Sequence, residues 1–417
     1  MEQYNRIKSS IEHWQKEKIV IILIYYFTTL KWQRGGEMYK NSIPDGTRDL
    51  TNEESIKKSK VIKCINDVFD KWGYKEIITS TIEYYESFRY EYSGIKEENV
   101  YKFFDSKGRI LSLRPDMTIP VVRVVSTRFK DINSNIRLRY SSNIYRVFEE
   151  FTGKRNEYTD CGIELISKDK EFSDLEVLIV AIEALKSTGS KNFKIEVGEI
   201  NFLKGAIEDI NIGDKEKNIL SNLIENKEIE SLNKFLDKLD IDEKIKIFFK
   251  KLPLTFGEGI KTLNKYKEMA FNNKMIESIE YLEFLIKDLE ALGYDKYLTV
   301  DLGLTPRLSF YTGIIFRGFI EGSGNIVLSG GRYDNLIKNA KKDFGAIGFS
   351  INADEVSSIL NNILEKKDMY IIEFNEKDKI DALNKGFELR EKGFVVEFIP
   401  SKDKENIEIL KEEYYGY

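Results

Sequence analysis

One histidine and two cysteines among 417 residues leave this chain without most of the side chains that do catalysis at neutral pH. Any step needing imidazole as a general base or metal ligand would fall to His13, in the least domain-like stretch of the sequence, so histidine catalysis is effectively excluded. Cys64 and Cys161 are too few for a disulfide framework or a four-ligand zinc site, and they point to a reduced, cytoplasmic setting. No metal and no cofactor is expected. The sequence instead concentrates arginine, carboxylate, tyrosine and glycine in short runs. These are Leu113-Arg114-Pro115-Asp116-Met117-Thr118, Tyr145-Arg146, Gly153-Lys154-Arg155-Asn156-Glu157-Tyr158, Gly330-Gly331-Arg332-Tyr333-Asp334 and Gly345-Ala346-Ile347-Gly348-Phe349. A planar guanidinium suits two-pronged contact with an anion, so Arg146 and Arg332 are either ordinary ion-pair residues or ligand-facing groups.

These runs need a scaffold, and the hydrophobic pattern supplies one. Apolar residues Ile56, Val61, Ile62, Ile65, Val68 and Phe69 recur at helical spacing over Glu53 to Lys71, and Gly73 stops that helix. Glu76 to Tyr84 reads as a strand, Tyr101 to Leu113 as a hairpin around Ser106-Lys107-Gly108, and Ile136 to Tyr145 as an alternating strand, which together predict an antiparallel sheet. An amphipathic helix over Phe172 to Thr188 and a strand over Phe193 to Val197 follow. Residues 203–290 are Lys/Glu-rich and predicted helical, with a solvated face. The strand pattern resumes at Leu298 to Leu302, Ile314 to Gly318 and Ile326 to Leu328, closed by a helix from Asp354 to Leu364. Beyond Lys367 come a strand Met369 to Phe374, a helix Lys377 to Lys392, a strand Phe394 to Ile399 and a charged helix.

The fold class predicted is α+β: a core from 38–202 and 291–366, a helical insertion over 203–290, and a truncated C-terminal αβ unit over 367–417. Residues 1–37 form a doubtful extension. Arg34-Gly35-Gly36-Glu37 before Met38 is what a translated ribosome-binding site would read, so the segment is either a native arm or the product of a mis-assigned start. The apolar run Ile19 to Phe27 is too short to span a bilayer, and no membrane association is expected. A composition 41% hydrophobic and 32% charged is that of a globular protein, and a net charge of −5 from 65 basic and 70 acidic side chains offers no general attraction to nucleic acid.

In their order along the chain, these runs resemble class II aminoacyl-tRNA synthetases, and specifically histidyl-tRNA synthetase, across about Ile43 to Leu364. Ile43-Pro44-Asp45-Gly46-Thr47-Arg48-Asp49, Trp72-Gly73-Tyr74 and the strand to Glu83 resemble the family's first motif, its dimer interface, with Ser80 where a proline is usual. The resemblance makes Arg146 the arginine that meets the ATP α-phosphate, but Phe148 stands in place of its acidic partner and Glu149 is displaced by one. In the closing motif the γ-phosphate arginine is replaced by Glu355. In Asp301-Leu302-Gly303-Leu304-Thr305-Pro306-Arg307-Leu308-Ser309-Phe310-Tyr311-Thr312-Gly313, Pro306 falls where the catalytic arginine belongs and Arg307 is off by one. An anion in place of a cation beside a triphosphate turns attraction into repulsion, so amino-acid activation is expected to fail.

The amino-acid pocket survives in the resemblance. Asp116 and Thr118 match positions that take a ligand's ammonium, Asp160 (in place of a glutamine) and Glu164 match ligand contacts, and Tyr311 and Tyr333 wall the imidazole. Within the matched motifs the ligand-facing reading of Arg146 and Arg332 is preferred. A kept pocket with lost ATP residues resembles the ATP phosphoribosyltransferase regulatory subunit family. That resemblance implies a non-catalytic subunit in histidine biosynthesis. It further implies assembly with a short-form catalytic subunit, histidine as effector, and a homodimer within a hetero-oligomer that does not bind tRNA. The alternatives are an active histidyl-tRNA synthetase or a free-standing paralogue acting on another small substrate.

Overall fold

The computed structural model describes residues 42–89, 94–131, 133–148, 153–304, 310–338, 343–360 and 365–416. The readings made on 1–37, Glu149, Pro306 and Arg307 therefore lie outside the described residues. The chain divides into two compact units, Met1–Asp49 with Glu150–Asn156, and the remainder. In the first, Pro44-Asp45-Gly46-Thr47 forms a tight turn, with Gly46 at φ +75 and Thr47 N–H donating to Pro44 O at 3.1 Å. Asn156 N–H donates to Gly46 O at 2.8 Å.

The second unit opens with α1 (Asn52–Lys71), which buries Val61, Ile65 and Phe69, one residue every turn. It ends as expected at Gly73, whose φ of +78 lets Tyr74 N–H reach back to Phe69 O at 3.1 Å. The predicted strand from Glu76 to Tyr84 is instead two pieces, β1 (Lys75–Glu76) and β2 (Ile82–Tyr84), in different sheets. Ser80 explains the break, since its hydroxyl donates to Ile82 O at 2.7 Å and competes with the ladder. The hairpin β3 (Lys102–Phe104) and β4 (Ile110–Leu113) completes a small sheet with β2.

The main sheet needs the rest of the core. Helix α2 (Thr118–Arg128), strands β5 (Ile136–Tyr145) and β6 (Glu157–Ser167), helix α3 (Lys170–Ser187) and strand β7 (Phe193–Glu199) come first. Then follow the helices α4 (Ile200–Glu208), α5 (Asp214–Glu225), α6 (Ile229–Asp237), α7 (Glu243–Lys251), α8 (Gly259–Met269) and α9 (Asn273–Ala291). The core resumes with β8 (Leu298–Val300), β9 (Ile314–Ile320), β10 (Leu328–Arg332), α10 (Asp334–Ile337), β11 (Gly345–Asn352) and α11 (Ala353–Ile359). Eight strands run in the order β1-β5-β6-β11-β10-β9-β7-β8. Pairing is antiparallel throughout the interior and parallel only at the two edges, β1 with β5 and β7 with β8. The sheet is thus mixed rather than purely antiparallel.

Helix α3 is not amphipathic as predicted. It is buried around most of its circumference, from Val177 through Leu185, because α1 and α9 pack against it as well as the sheet. Its buried Glu176 is satisfied inside the fold. Tyr74 Oη donates to Glu176 Oε1 at 2.8 Å, and Arg137 makes a two-pronged contact with the same carboxylate at 2.8 and 2.6 Å. Helices α4 to α9 share one continuous apolar cluster with α1, α3 and the sheet.

The C-terminal unit is a three-stranded sheet in the order β13-β12-β14, with β12 (Glu365–Phe374), α12 (Lys379–Glu391), β13 (Val395–Pro400) and β14 (Glu408–Gly416). The charged helix expected at the end is instead the strand β14, paired antiparallel with β12. An open sheet edge offers a full ladder of hydrogen bonds, and that outweighs a weak helical preference.

Arg332 is also corrected. It is 1% exposed and meets Asp174, 0% exposed, at 2.8 and 2.6 Å, and adds Asp334 at 2.9 Å and Ser173 Oγ at 2.6 Å. Tyr281 Oη on α9 donates to the other Asp174 oxygen at 2.5 Å. Arg332 is an internal tie between sheet and helices, not a ligand-facing group. Asp174→Ala would strand a buried guanidinium. Urea unfolding is expected to register a loss of about 3–5 kcal/mol, and a loss below about 1 kcal/mol would contradict the internal-tie role.

Candidate functional site

The face of the sheet built from β5, β6, β9, β10 and β11 forms the floor of a cavity of about 210 Å³. All the sequence-predicted site residues among the described ones, Asp116, Thr118, Arg146, Asp160, Glu164, Tyr311 and Tyr333, line it; Arg307 lies outside the described residues.

Asp160 and Glu164 are four residues apart on β6, so the two-residue period of a strand puts both side chains on one face. Gly162 sits between them on that face. A Cβ there would lie 2.5 Å from Tyr140 Oη, so the glycine admits the Tyr140 ring beneath the two acids. Across the ladder Gly348 pairs with Glu164, and a Cβ on Gly348 would fall 1.8 Å from Glu164 Oε2 and 2.4 Å from Ile163 O. The glycines therefore make the space the acids occupy.

Glu164 is 1% exposed. Tyr333 Oη donates to its Oε2 at 2.5 Å and Thr118 Oγ1 to its Oε1 at 3.1 Å. Burial nonetheless dominates and pushes its carboxyl from an ordinary value of 4.5 up to about 8, against the pull of those hydroxyl donors. Asp160 is likewise raised by burial to about 6, opposed by Arg146 and by a hydrogen bond from Ser350. For the guanidinium of Arg146, burial alone would lower its pKa, but Tyr158, Asp116 and Asp160 outweigh that and raise it.

Asp116 comes from the loop that enters α2. Arg114 fixes this loop from behind, donating to Asn143 O at 2.9 Å and Thr79 O at 3.0 Å, and Arg146 Nε holds Pro115 O at 2.6 Å. Asp116 Oδ1 accepts from Ile119 N–H at 3.3 Å, whereas Oδ2 is buried and has no hydrogen-bond partner among the described residues. A buried carboxyl oxygen without a donor, on a residue that lines a cavity, is a place where a ligand's hydrogen-bond donor could be met. The aromatic wall is Tyr311, which lies over Gly331, with Phe310 edge-on to it at 5.0 Å.

Sequence reasoning missed Tyr140, Ser350, Arg317 and Glu225, which also line the cavity. Tyr140 and Ser350 both pair with Gly162, between the matched acids, and of the two only Tyr140 lay on a strand the pattern predicted. Glu225 carried no such signal, because it arrives from the end of α5. Asp116, Asp160 and Glu225 face two guanidinium groups (Arg146, Arg317), while Glu164, pushed up to about 8, keeps its proton at neutral pH, so the lining is acidic by about one charge and does not favour a triphosphate. Glu355, in the first turn of α11, accepts from Ser323 Oγ at 2.6 Å and Asn325 Nδ2 at 3.3 Å. Among the described residues no group of His, Cys, Asp and Glu could hold a metal ion, and no helix is long and apolar enough to cross a membrane.

The sequence model of histidyl-tRNA synthetase matches residues 46–356. An ATP phosphoribosyltransferase regulatory subunit of Thermoanaerobacter pseudethanolicus is 38% identical over 359 residues, 85% of this chain and 93% of that protein. The chain belongs to the ATP phosphoribosyltransferase regulatory subunit family. A relative of the same name from Clostridium novyi is 40% identical over 77% of this chain and 76% of its own. A solved structure described as an ATP phosphoribosyltransferase regulatory subunit/histidyl-tRNA synthetase from Bacillus halodurans superposes with a TM-score of 0.79 at 28% identity, covering 88% of this chain and 94% of the other. The histidyl-tRNA synthetase of Nostoc sp. PCC 7120 superposes with a TM-score of 0.73 at 19% identity, covering 88% and 87%, and shares the fold. Regulatory subunits of this family are thus built on a synthetase scaffold, as paralogues and not as active synthetases, and the regulatory name agrees with a non-catalytic role.

Because Glu164 binds its proton more tightly folded than unfolded, stability is greatest below about pH 4.5 as far as this group is concerned and is lost as pH rises to about 8. At about 1.4 kcal/mol per pH unit the loss across that window amounts to several kcal/mol. Unfolding free energies measured between pH 5 and 8.5 are expected to fall for the wild type and to run flatter for Glu164→Gln; parallel profiles would remove the buried acid from the explanation. Gly348→Ala is expected to overpack the site, costing about 1–3 kcal/mol in a denaturant melt, and an unchanged midpoint would contradict the close approach of Glu164.

Proposed function

We propose that this chain is a regulatory subunit of ATP phosphoribosyltransferase that binds histidine in the cavity and passes that signal to a short-form catalytic subunit in the first step of histidine biosynthesis. The observation that carries the reading is the unpaired Asp116 Oδ2, buried at the wall of an amino-acid-sized, net acidic cavity. An α-ammonium would pair with Asp116, a carboxylate with Arg146, and an imidazole would lie against Tyr311 within reach of the Glu164 and Tyr333 pair. The volume supports a single amino acid over a nucleotide, being below the roughly 300–1,000 Å³ of pockets for drug-sized ligands. Neither ATP nor a cofactor has a role. The free thiols Cys64 and Cys161 fit a reducing, cytoplasmic setting.

Calorimetry is expected to detect histidine binding that weakens about 10–100-fold in Asp116→Asn, the loss of one charge-assisted hydrogen bond. In the reconstituted complex, Asp116→Asn and Tyr311→Ala are expected to relieve inhibition of phosphoribosyl transfer by histidine. Absence of histidine binding, or histidine-dependent pyrophosphate exchange at a synthetase-like rate, would overturn the reading.

Assembly as a homodimer through the first-motif region is part of the same proposal. Ile78 is 85% exposed and Ile82, Tyr84 and Phe104 are exposed beside it in sequence or sheet, more apolar surface than a lone subunit usually leaves in water. Ile78→Asp is expected to shift the sedimentation of the isolated chain toward monomer; a variant as dimeric as the wild type would rule that surface out.

A further inference from the structure

Helices α1 and α5 end in the same hydrogen-bond pattern but with different residues at its left-handed position. In α5, Glu228 N–H donates to Leu223 O and Lys227 N–H to Ile224 O, both at 3.0 Å, the double closure that normally places glycine at the left-handed residue. Helix α1 has Gly73 there. Helix α5 has Lys227 at φ +54, and among the described residues the other non-glycine at positive φ is Asn52. A lysine held in that conformation has to be retained by its surroundings.

Its surroundings are specific. Lys227 Nζ pairs at 3.0 Å with Asp301, which is 1% exposed, and lies 4.1 Å above the Phe256 ring. Asp301 Oδ1 accepts from Gly303 N–H at 2.8 Å and so shapes the loop that delivers Leu304 to the cavity wall. Two residues before Lys227, Glu225 accepts from Arg317 Nη1 at 2.9 Å, while Arg317 Nε donates to Glu196 on the neighbouring strand at 2.9 Å. Glu225 and Arg317 both line the cavity. One three-residue turn therefore grips two walls of the cavity, the loop carrying Leu304 and strand β9.

The geometry points to the Glu225-Asn226-Lys227 turn as the element through which ligand in the cavity is sensed by helices α5 to α7. The left-handed turn is held by two ion pairs, Lys227 with Asp301 and Glu225 with Arg317. A ligand that fixes the Leu304 loop and β9 tightens the turn and the helices on either side, and coupling then requires only that the ligand favour the gripped state over the released one. This rests on the proposed histidine site. Lys227→Gly is the informative variant, because glycine suits the backbone there and removes the contacts to Asp301 and Phe256, with Lys227→Asn as a second variant; Lys227 itself does not line the cavity.

Hydrogen exchange of residues 214–257 in the full chain, with and without saturating histidine, tests the inference alongside calorimetry on the same samples. The expected result is at least threefold slower exchange over α5 to α7 on adding histidine to the wild type, and histidine affinity within about threefold of wild type in Lys227→Gly and Lys227→Asn with that slowing lost. Binding without slowing in the wild type, or slowing that persists in both variants, overturns the coupling while leaving the histidine site intact. No binding in the wild type overturns the site and the coupling with it.

Discussion

A carboxylic acid in the middle of a β-sheet is the constraint around which the site is built. Glu164 lies on β6 with β5 on one side and β11 on the other, where an unsatisfied charge would cost more than the local packing returns. Two hydroxyl donors hold its oxygens, a tyrosine ring underlies it, and a glycine opposite leaves it room. Each of those neighbours comes from a different part of the chain: Thr118 from the start of α2, Tyr140 from β5, Tyr333 from the end of β10 and Gly348 from β11. The acid is thus a meeting point that forms only when the discontinuous halves of the core are both in place.

Charge divides the matched motifs into those lining the cavity and those absorbed into the fold. Arg146 remains at the cavity, steadied by a backbone carbonyl and by acidic neighbours. Arg332 has become an internal cation tied to Asp174, and Tyr281 links that pair to α9. With Asp116, Asp160 and Glu225 facing Arg146 and Arg317, and Glu164 holding its proton at neutral pH, the cavity is acidic by about one charge. The scaffold is thus shared with histidyl-tRNA synthetase while the cavity it carries is lined mainly by acids.

Much of this was legible in the amino acids alone. The first helix with its glycine stop could be placed from its apolar spacing, whereas the site acids and tyrosines were placed only through the resemblance to the synthetase family. Strands β6 and β11 were not recognised, because both are central: they are buried on two faces, do not alternate, and carry the glycines that the acids require. The strand β14 was hidden for the opposite reason, since Glu408–Gly416 is rich in Lys and Glu and its pairing is dictated by the free edge of β12. Arg332 was misread because a motif gives a residue's position in the chain and not the direction its side chain takes. Glu225 had no local signal at all, as only the packing of α5 on the sheet brings it to the cavity.

The order of strands has a consequence for how the protein is made. Strands β5 and β6 pair as neighbours in sequence, but the other edge of β6 is covered by β11, which the ribosome delivers only after the whole helical segment and three further strands. During translation the nascent hairpin carries a bare, largely apolar edge for as long as the helices take to emerge, and such edges invite pairing with other chains. The long helical stretch, whose contacts are local and fast to form, is therefore also a delay line, and the yield of soluble protein becomes sensitive to the speed of synthesis across it.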